Sequence, residues 1–225
     1  MLQDWDSLTF VHWRVEPGMV QRLLPPGLAV DTADGAAWVS LVLFRLRVRW
    51  LSTPALPYAT VFPEINVRTY VTGPDGGAGI YFLSLDAPRL VAVTTALVTY
   101  GLPYRWSRMR LEEAGSRVTY RCRRRLPRFP AASCLVSVDA GEARAAPDLA
   151  PLDHFLTARW SLFASRQGRL VRADVEHPTW PLARARLLDY DDGLLAAAGV
   201  PEVSGEPVVH YSPRLHARLT APRPC

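Results

Sequence analysis

Between Trp38 and Trp50 the chain alternates, with Trp38, Val42, Phe44, Leu46 and Val48 on one side and Arg45, Arg47 and Arg49 on the other. A period of two marks a strand with one buried face. The alternation returns at 62–71, where Glu64, Asn66, Arg68 and Tyr70 project one way and Ile65, Val67, Thr69 and Val71 the other. Further strands are expected at Leu8–Val15, Ile80–Leu85, Arg108–Leu111, Arg117–Arg124, Cys134–Val138, Leu182–Leu188 and Val208–Leu219. The 20 prolines and 14 glycines are scattered between these runs, as turns require, and gather into no linker.

Helical patterns are few. Pro17–Leu24 has a proline suited to a first turn, Leu90–Tyr100 stops at Gly101 and Pro103, and Gly193–Ala198 precedes Gly199. Pro151–Ala164 reads as one amphipathic helix, with Leu152, Phe155, Leu156 and Phe163 on a stripe and Asp153 in the first turn, where the helix dipole favours an acid. Gly73–Gly79 reads as a hairpin loop without the Gly-Lys-Ser/Thr end of a phosphate loop, and Ala140–Pro151 as a long surface loop. The order of elements predicts a mainly β, α+β domain over 1–225 and not a doubly wound sheet.

Composition narrows the class. At 49% hydrophobic and 21% charged residues the chain can bury a core. No apolar run reaches the length of a membrane span, and the acidic first residues do not resemble a secretory signal, so a cytoplasmic protein is expected, without a membrane partner. Three cysteines, Cys122, Cys134 and Cys225, show neither disulfide nor zinc spacing, and no metal or cofactor is expected. The net charge of +5 allows an anionic partner. All 26 basic residues are arginine, which reads as a coding bias and weighs against nucleic acid.

The polar face of 62–71 carries the candidate chemistry, and two readings stand. It is a solvated face, or it lines a closed barrel in which Glu64 moves a proton, Arg68 grips a carboxylate, and Asn66 and Tyr70 orient a ligand. In the second reading Ile65, Val67 and Val71 would pack against covering helices. His12, between Phe10 and Arg14 on its face, is either a structural histidine or part of that site. His154 and His177 have no second ligand at metal spacing, and Arg117–Arg125 is either a solvated arginine face or a phosphate grip.

The order Phe10-Val-His-Trp-Arg-Val15, Leu23-Leu-Pro-Pro-Gly-Leu28, Phe62-Pro-Glu-Ile-Asn-Val-Arg-Thr-Tyr70, Tyr81-Phe-Leu-Ser-Leu-Asp86, Gly101-Leu-Pro-Tyr104, His154-Phe-Leu-Thr157, His177-Pro-Thr-Trp-Pro181 and His210-Tyr-Ser-Pro213 resembles the YqjF-like family of uncharacterised bacterial proteins, over nearly the whole chain. A more distant similarity is to acetoacetate decarboxylase, and it implies a closed β-barrel of that type with a few short covering helices and self-association. On that similarity Glu64 falls on an active-site glutamate, Tyr104 stands where the Schiff-base lysine would be, and Arg105 where its neighbouring lysine would be. Neither a phenol nor a guanidinium forms an imine with a ketone, and the chain has no lysine, so enamine decarboxylation on a side chain is excluded. What the resemblance leaves is proton transfer or hydration/dehydration of a small, anionic carboxylate or carbonyl compound. Glu64 and Tyr104 would then be catalytic, with Arg68, Asn66, Arg105, Tyr70 and His12 binding the ligand. A non-catalytic ligand-binding or assembly subunit is the alternative.

Overall fold

In the computed structural model, which describes residues 1–49, 60–125, 131–143 and 149–225, the alternating runs become strands and the helices are short. The elements in chain order are β1 (Leu2–Val15), α1 (Pro17–Gln21), β2 (Ala29–Val30), β3 (Ala37–Arg49), β4 (Val61–Thr72), β5 (Ala78–Ala87), α2 (Leu90–Tyr100), β6 (Tyr104–Ala114), β7 (Arg117–Arg124), β8 (Ser133–Ala143), α3 (Pro151–Thr157), β9 (Ser161–Arg166), β10 (Arg169–Glu176), β11 (Ala183–Asp192), α4 (Leu194–Ala197), β12 (Val208–Leu219) and β13 (Arg223–Pro224). Trp50 and positions 144–148 of the expected loop lie outside the described residues. No helix among those described is long and apolar enough to cross a membrane.

One sheet contains all the described strands. Pairing runs β5–β6–β7–β8–β11–β12–β1–β3–β4, and β4 pairs with β5 again, so the ladder returns to its start. A second arm, β9 and β10, bridges β5 and β12. Most neighbours are antiparallel; β5 and β6 are parallel, and α2 supplies the crossover that parallel neighbours need. Gly101 ends α2 in the left-handed region (φ 71°), its N–H reaching the Leu97 carbonyl at 3.1 Å.

The two faces of β1, β3 and β4 serve different layers. Val11, Leu41, Leu43, Ile65 and Val67 pack in one core with Val118, Tyr120 and Cys122 of β7, Cys134, Val136 and Val138 of β8, and Val20 and Leu194 of α1 and α4. Ile65 and Val67 were expected to pack against covering helices; α1 and α4 do contribute to their core, but most of its residues come from strands. Val71 packs with Leu28 and Phe163. The opposite face, with Phe10, Val42, Phe44 and Glu64, is the one that α2, α3, β9 and β10 overlie.

The helix expected over Pro151–Ala164 ends at Thr157. Asp153 starts it, its Oδ2 accepting from Ala150 N at 2.9 Å, and Thr157 Oγ1 donates back to the Asp153 carbonyl at 2.7 Å. Ser161–Arg166 is β9, joined to β10 by a two-residue turn at Gln167 and Gly168, both at positive φ (52° and 75°). Such a turn matches the twist of paired strands. Phe163, expected on the helical stripe, is instead fully buried on β9 beside Gly73 and Gly79, where a Cβ would sit 2.4 and 2.7 Å from its ring.

Candidate functional site

Strand β4 sends Phe62, Glu64, Asn66 and Arg68 into a cavity of about 260 Å³. Its walls are mainly apolar and aromatic, including Trp5, Leu8 and Phe10 of β1, Val42, Phe44 and Leu46 of β3, and Phe82 and Leu85 of β5. Strict alternation could not place Trp5 with Leu8, or Phe82 with Leu85, on one wall. Both strands change parity at an irregularity. On β1 the register to β3 shifts between Asp6 and Thr9, around Ser7 in the left-handed region (φ 50°). On β5, Leu83 is the extra residue where Val67 and Arg68 face Ser84 and Phe82. Bulges re-aim side chains in this way beside functional sites.

The cavity holds charges that the fold does not neutralise. Glu64, Asn66 and Arg68 are 4%, 4% and 8% exposed. Tyr104 Oη donates to Glu64 Oε2 at 2.7 Å. Burial pushes the Glu64 carboxyl up to about 7, although the tyrosine hydrogen bond pulls the other way, and burial with the adjacent glutamate lifts the Tyr104 phenol well above its ordinary range. Arg68 donates to the Leu156 carbonyl at 3.2 Å and lies over the rings of Phe10 (5.2 Å) and Tyr70 (5.7 Å), with no ion pair among the described residues. Arg68 Nε and Asn66 Oδ1 are buried without a protein hydrogen-bond partner. Each such group costs about 1–3 kcal/mol, more when charged, unless a ligand satisfies it.

The structure brings Glu64, Asn66, Arg68 and Tyr104 together and leaves Tyr70, His12 and Arg105 outside the cavity lining. Tyr70 Oη donates to the Leu156 carbonyl at 2.8 Å, and Ser40 Oγ lies 2.7 Å from Tyr70 Oη and 2.6 Å from His12 Nδ1. His12 is held well below its usual range by burial and by His210 and Arg68. These groups form a buried polar layer behind Arg68, fastened to α3, where His210 Nε2 meets Asp153 Oδ1 at 2.8 Å. Arg105 follows Tyr104 on β6 and so points to the other face. There Asp86, its register partner, and Arg124 act on it.

Arg159 and His177 also line the cavity. Arg159, from the turn after α3, donates to Asp31 Oδ2 at 2.6 Å and to the Phe155 carbonyl at 2.9 Å. It fell inside the expected helix, so nothing in the pattern aimed it inward. His177 stands in an aromatic wall, its ring 5.1 Å from Trp180, 5.8 Å from Trp160 and 6.1 Å from Trp5, and burial lowers its pKa. The His177-Pro-Thr-Trp-Pro181 segment, with a histidine and a tryptophan between prolines, was the available signal. Among the described residues no cluster of His, Cys, Asp or Glu is arranged to hold a metal ion.

Residues 2–216 match the DUF2071 family, described as an uncharacterized conserved protein. The uncharacterized protein YqjF of Bacillus subtilis (strain 168) is 34% identical over 215 residues, which are 94% of this chain and 87% of that protein. Among solved structures, the enduracididine biosynthesis enzyme MppR complexed with pyruvate superposes with a TM-score of 0.71 at 18% identity, over 99% of this chain and 89% of its own. An acetoacetate decarboxylase-like enzyme from Sphingomonas wittichii RW1 gives 0.68 at 18% identity, over 100% and 92%. At such identities the likeness carries the fold alone, and that fold is acetoacetate decarboxylase-like.

Proposed function

The chain belongs to the DUF2071 family, and from that premise we propose that its cavity takes a small anionic carbonyl compound, on which Glu64 transfers a proton. One observation carries the reading: Arg68, a buried guanidinium with no carboxylate partner among the described residues, lines the same cavity as a glutamate titrating near 7. An arginine of this kind has affinity for a carboxylate, and a carboxyl poised near neutrality both takes and returns protons. As carboxylate, Glu64 removes a proton from the carbon next to a carbonyl. As acid, it returns that proton to the carbon, or to a β-hydroxyl that then leaves as water. Atoms balance without a co-reactant, and no amine is needed, in keeping with the absence of lysine. Tyr104 holds the carboxyl by its hydrogen bond. The pyruvate complex of MppR supports the substrate class.

The returning strand ladder supports reading the sheet as a closed barrel. The stripe of exposed Leu90, Val91, Leu97 and Val98 on α2 supports self-association. Three free cysteines are in keeping with a reducing, cytoplasmic setting.

The test is hydrogen–deuterium exchange at the carbon next to the carbonyl of oxo acids in D₂O, followed by NMR. Wild type is expected to speed exchange with a dependence on a group near pH 7, and Glu64→Gln to lose it. Saturable binding of oxo acids with no exchange at any pH would instead leave a ligand-binding barrel.

A further inference from the structure

Resting on that reading, we infer that the cavity selects by length: its ligand is an elongated oxo-carboxylate whose anionic end meets Arg68 and whose carbonyl lies several carbons away, at Glu64 and Tyr104. Glu64 and Arg68 are four residues apart on β4, which pairs with β3 without interruption from Phe44↔Glu64 to Ser40↔Arg68. At about 3.3 Å per residue their Cα atoms are about 13 Å apart. The guanidinium does not close that gap. It is tied to the Leu156 carbonyl, which Tyr70 also meets, and lies over both the Tyr70 ring, on the side away from Glu64, and the Phe10 ring, level with Asn66, so it stays near its own register position.

A three-carbon acid such as pyruvate, with carboxylate and carbonyl on adjacent carbons, cannot meet both groups. Spanning them takes a chain of roughly five carbons or more at ordinary bond lengths. The wall between is built for such a chain. Apart from Asn66 midway, the side chains facing the cavity there are Val42, Phe44, Phe82 and Leu85. The volume of about 260 Å³ is close to the lower bound, about 300 Å³, of pockets that enclose drug-sized molecules, and is generous for six heavy atoms.

The experiment is calorimetric titration of the whole protein at pH 7 with pyruvate, 4-oxopentanoate, 6-oxoheptanoate and the neutral 2-heptanone, on wild type, Arg68→Leu and Arg68→Lys. The Lys variant keeps the charge should the Leu variant fail to fold. Affinity is expected to rise along the acid series, with 6-oxoheptanoate at least tenfold tighter than pyruvate. Arg68→Leu should bring 6-oxoheptanoate down to the level of 2-heptanone, and Arg68→Lys should lose part of the gain. Pyruvate binding tightest, through Arg68, overturns the length selection and leaves the proposed function standing. Equal affinity for 2-heptanone and 6-oxoheptanoate in wild type, or no loss in either Arg68 variant, overturns the arginine anchor and with it the inference. No binding by any acid overturns both.

Discussion

Two buried clusters of charge lie close together on this sheet, and they are built on opposite terms. Around Asp86 on β5 every charge is met: Arg124 Nε and Nη2 donate to its two oxygens at 3.0 Å each, Ser107 Oγ donates at 2.6 Å, and Ser84 Oγ takes Arg124 Nη2 at 3.2 Å. Those two charged side chains are 1% and 2% exposed. On β4, among the described residues, Glu64 has only a tyrosine and Arg68 only a backbone carbonyl and two rings. The first cluster is complete without a ligand and acts as a strut. The second is held by the surrounding fold with its polar needs unmet, as groups kept for a ligand are.

Breaking the strut should do the most damage. Arg124→Leu leaves Asp86 buried without its counter-charge and should cost about 3–5 kcal/mol in urea unfolding. A cost near zero would erase the contrast between the clusters.

The next largest effect depends on pH. The folded Glu64 carboxyl titrates near 7 and the unfolded one near 4.5. Its contribution to stability is therefore whole below about 4.5 and is lost as pH rises through about 7, since the unfolded chain ionises first. The difference amounts to about 3 kcal/mol. Wild type should weaken by about that much relative to Glu64→Gln between pH 4.5 and 8, read by urea unfolding at stepped pH. A constant gap between the two would mean an ordinary carboxyl.

Smaller is Tyr104→Phe, which removes one hydrogen bond at a cost of about 1 kcal/mol and should move the Glu64 titration further up, as a carbonyl-region NMR or infrared titration would show. Smallest is the coupling of Glu64→Gln with Arg68→Leu. With no shared partner and about 13 Å between their Cα atoms, the two changes should add to within about 0.5 kcal/mol in a double-mutant cycle. Strong coupling would make them a structural pair after all.

Period-two reading of β4 was enough to put Glu64, Asn66 and Arg68 on one side, because that strand is regular against β3. It could not say where along the strand the cavity ends, so Tyr70 and His12, on the correct faces, turned out to belong to the polar layer packed on α3. Arg105 was a matter of parity, one residue beyond Tyr104. Strand β9 was lost because the apolar residues from Leu152 to Phe163 fit a helical stripe, while the interruption at Ala158–Trp160 contains neither glycine nor proline. Arg159 was lost with it. The family resemblance supplied the fold that local pattern could not, since pairings such as β1 with β12 join opposite ends of the chain.

The irregularity at Ser7 has a consequence for anyone who edits this protein. It is a frame change: N-terminal to it the odd positions Gln3 and Trp5 face the cavity, and beyond it the even positions Leu8 and Phe10 do. Were Ser7 instead drawn into the ladder as an ordinary strand residue, with the pairing beyond it kept, strict alternation would turn Gln3 and Trp5 outward and bring Asp4 and Asp6 in their place. Two carboxylates would then face an apolar wall, and the arginines that meet them now, Arg49 and Arg214, would be left across the sheet. A buried serine thus holds the chamber's lining in phase, and the space can be reshaped through the strand's register as well as through the kind of its residues.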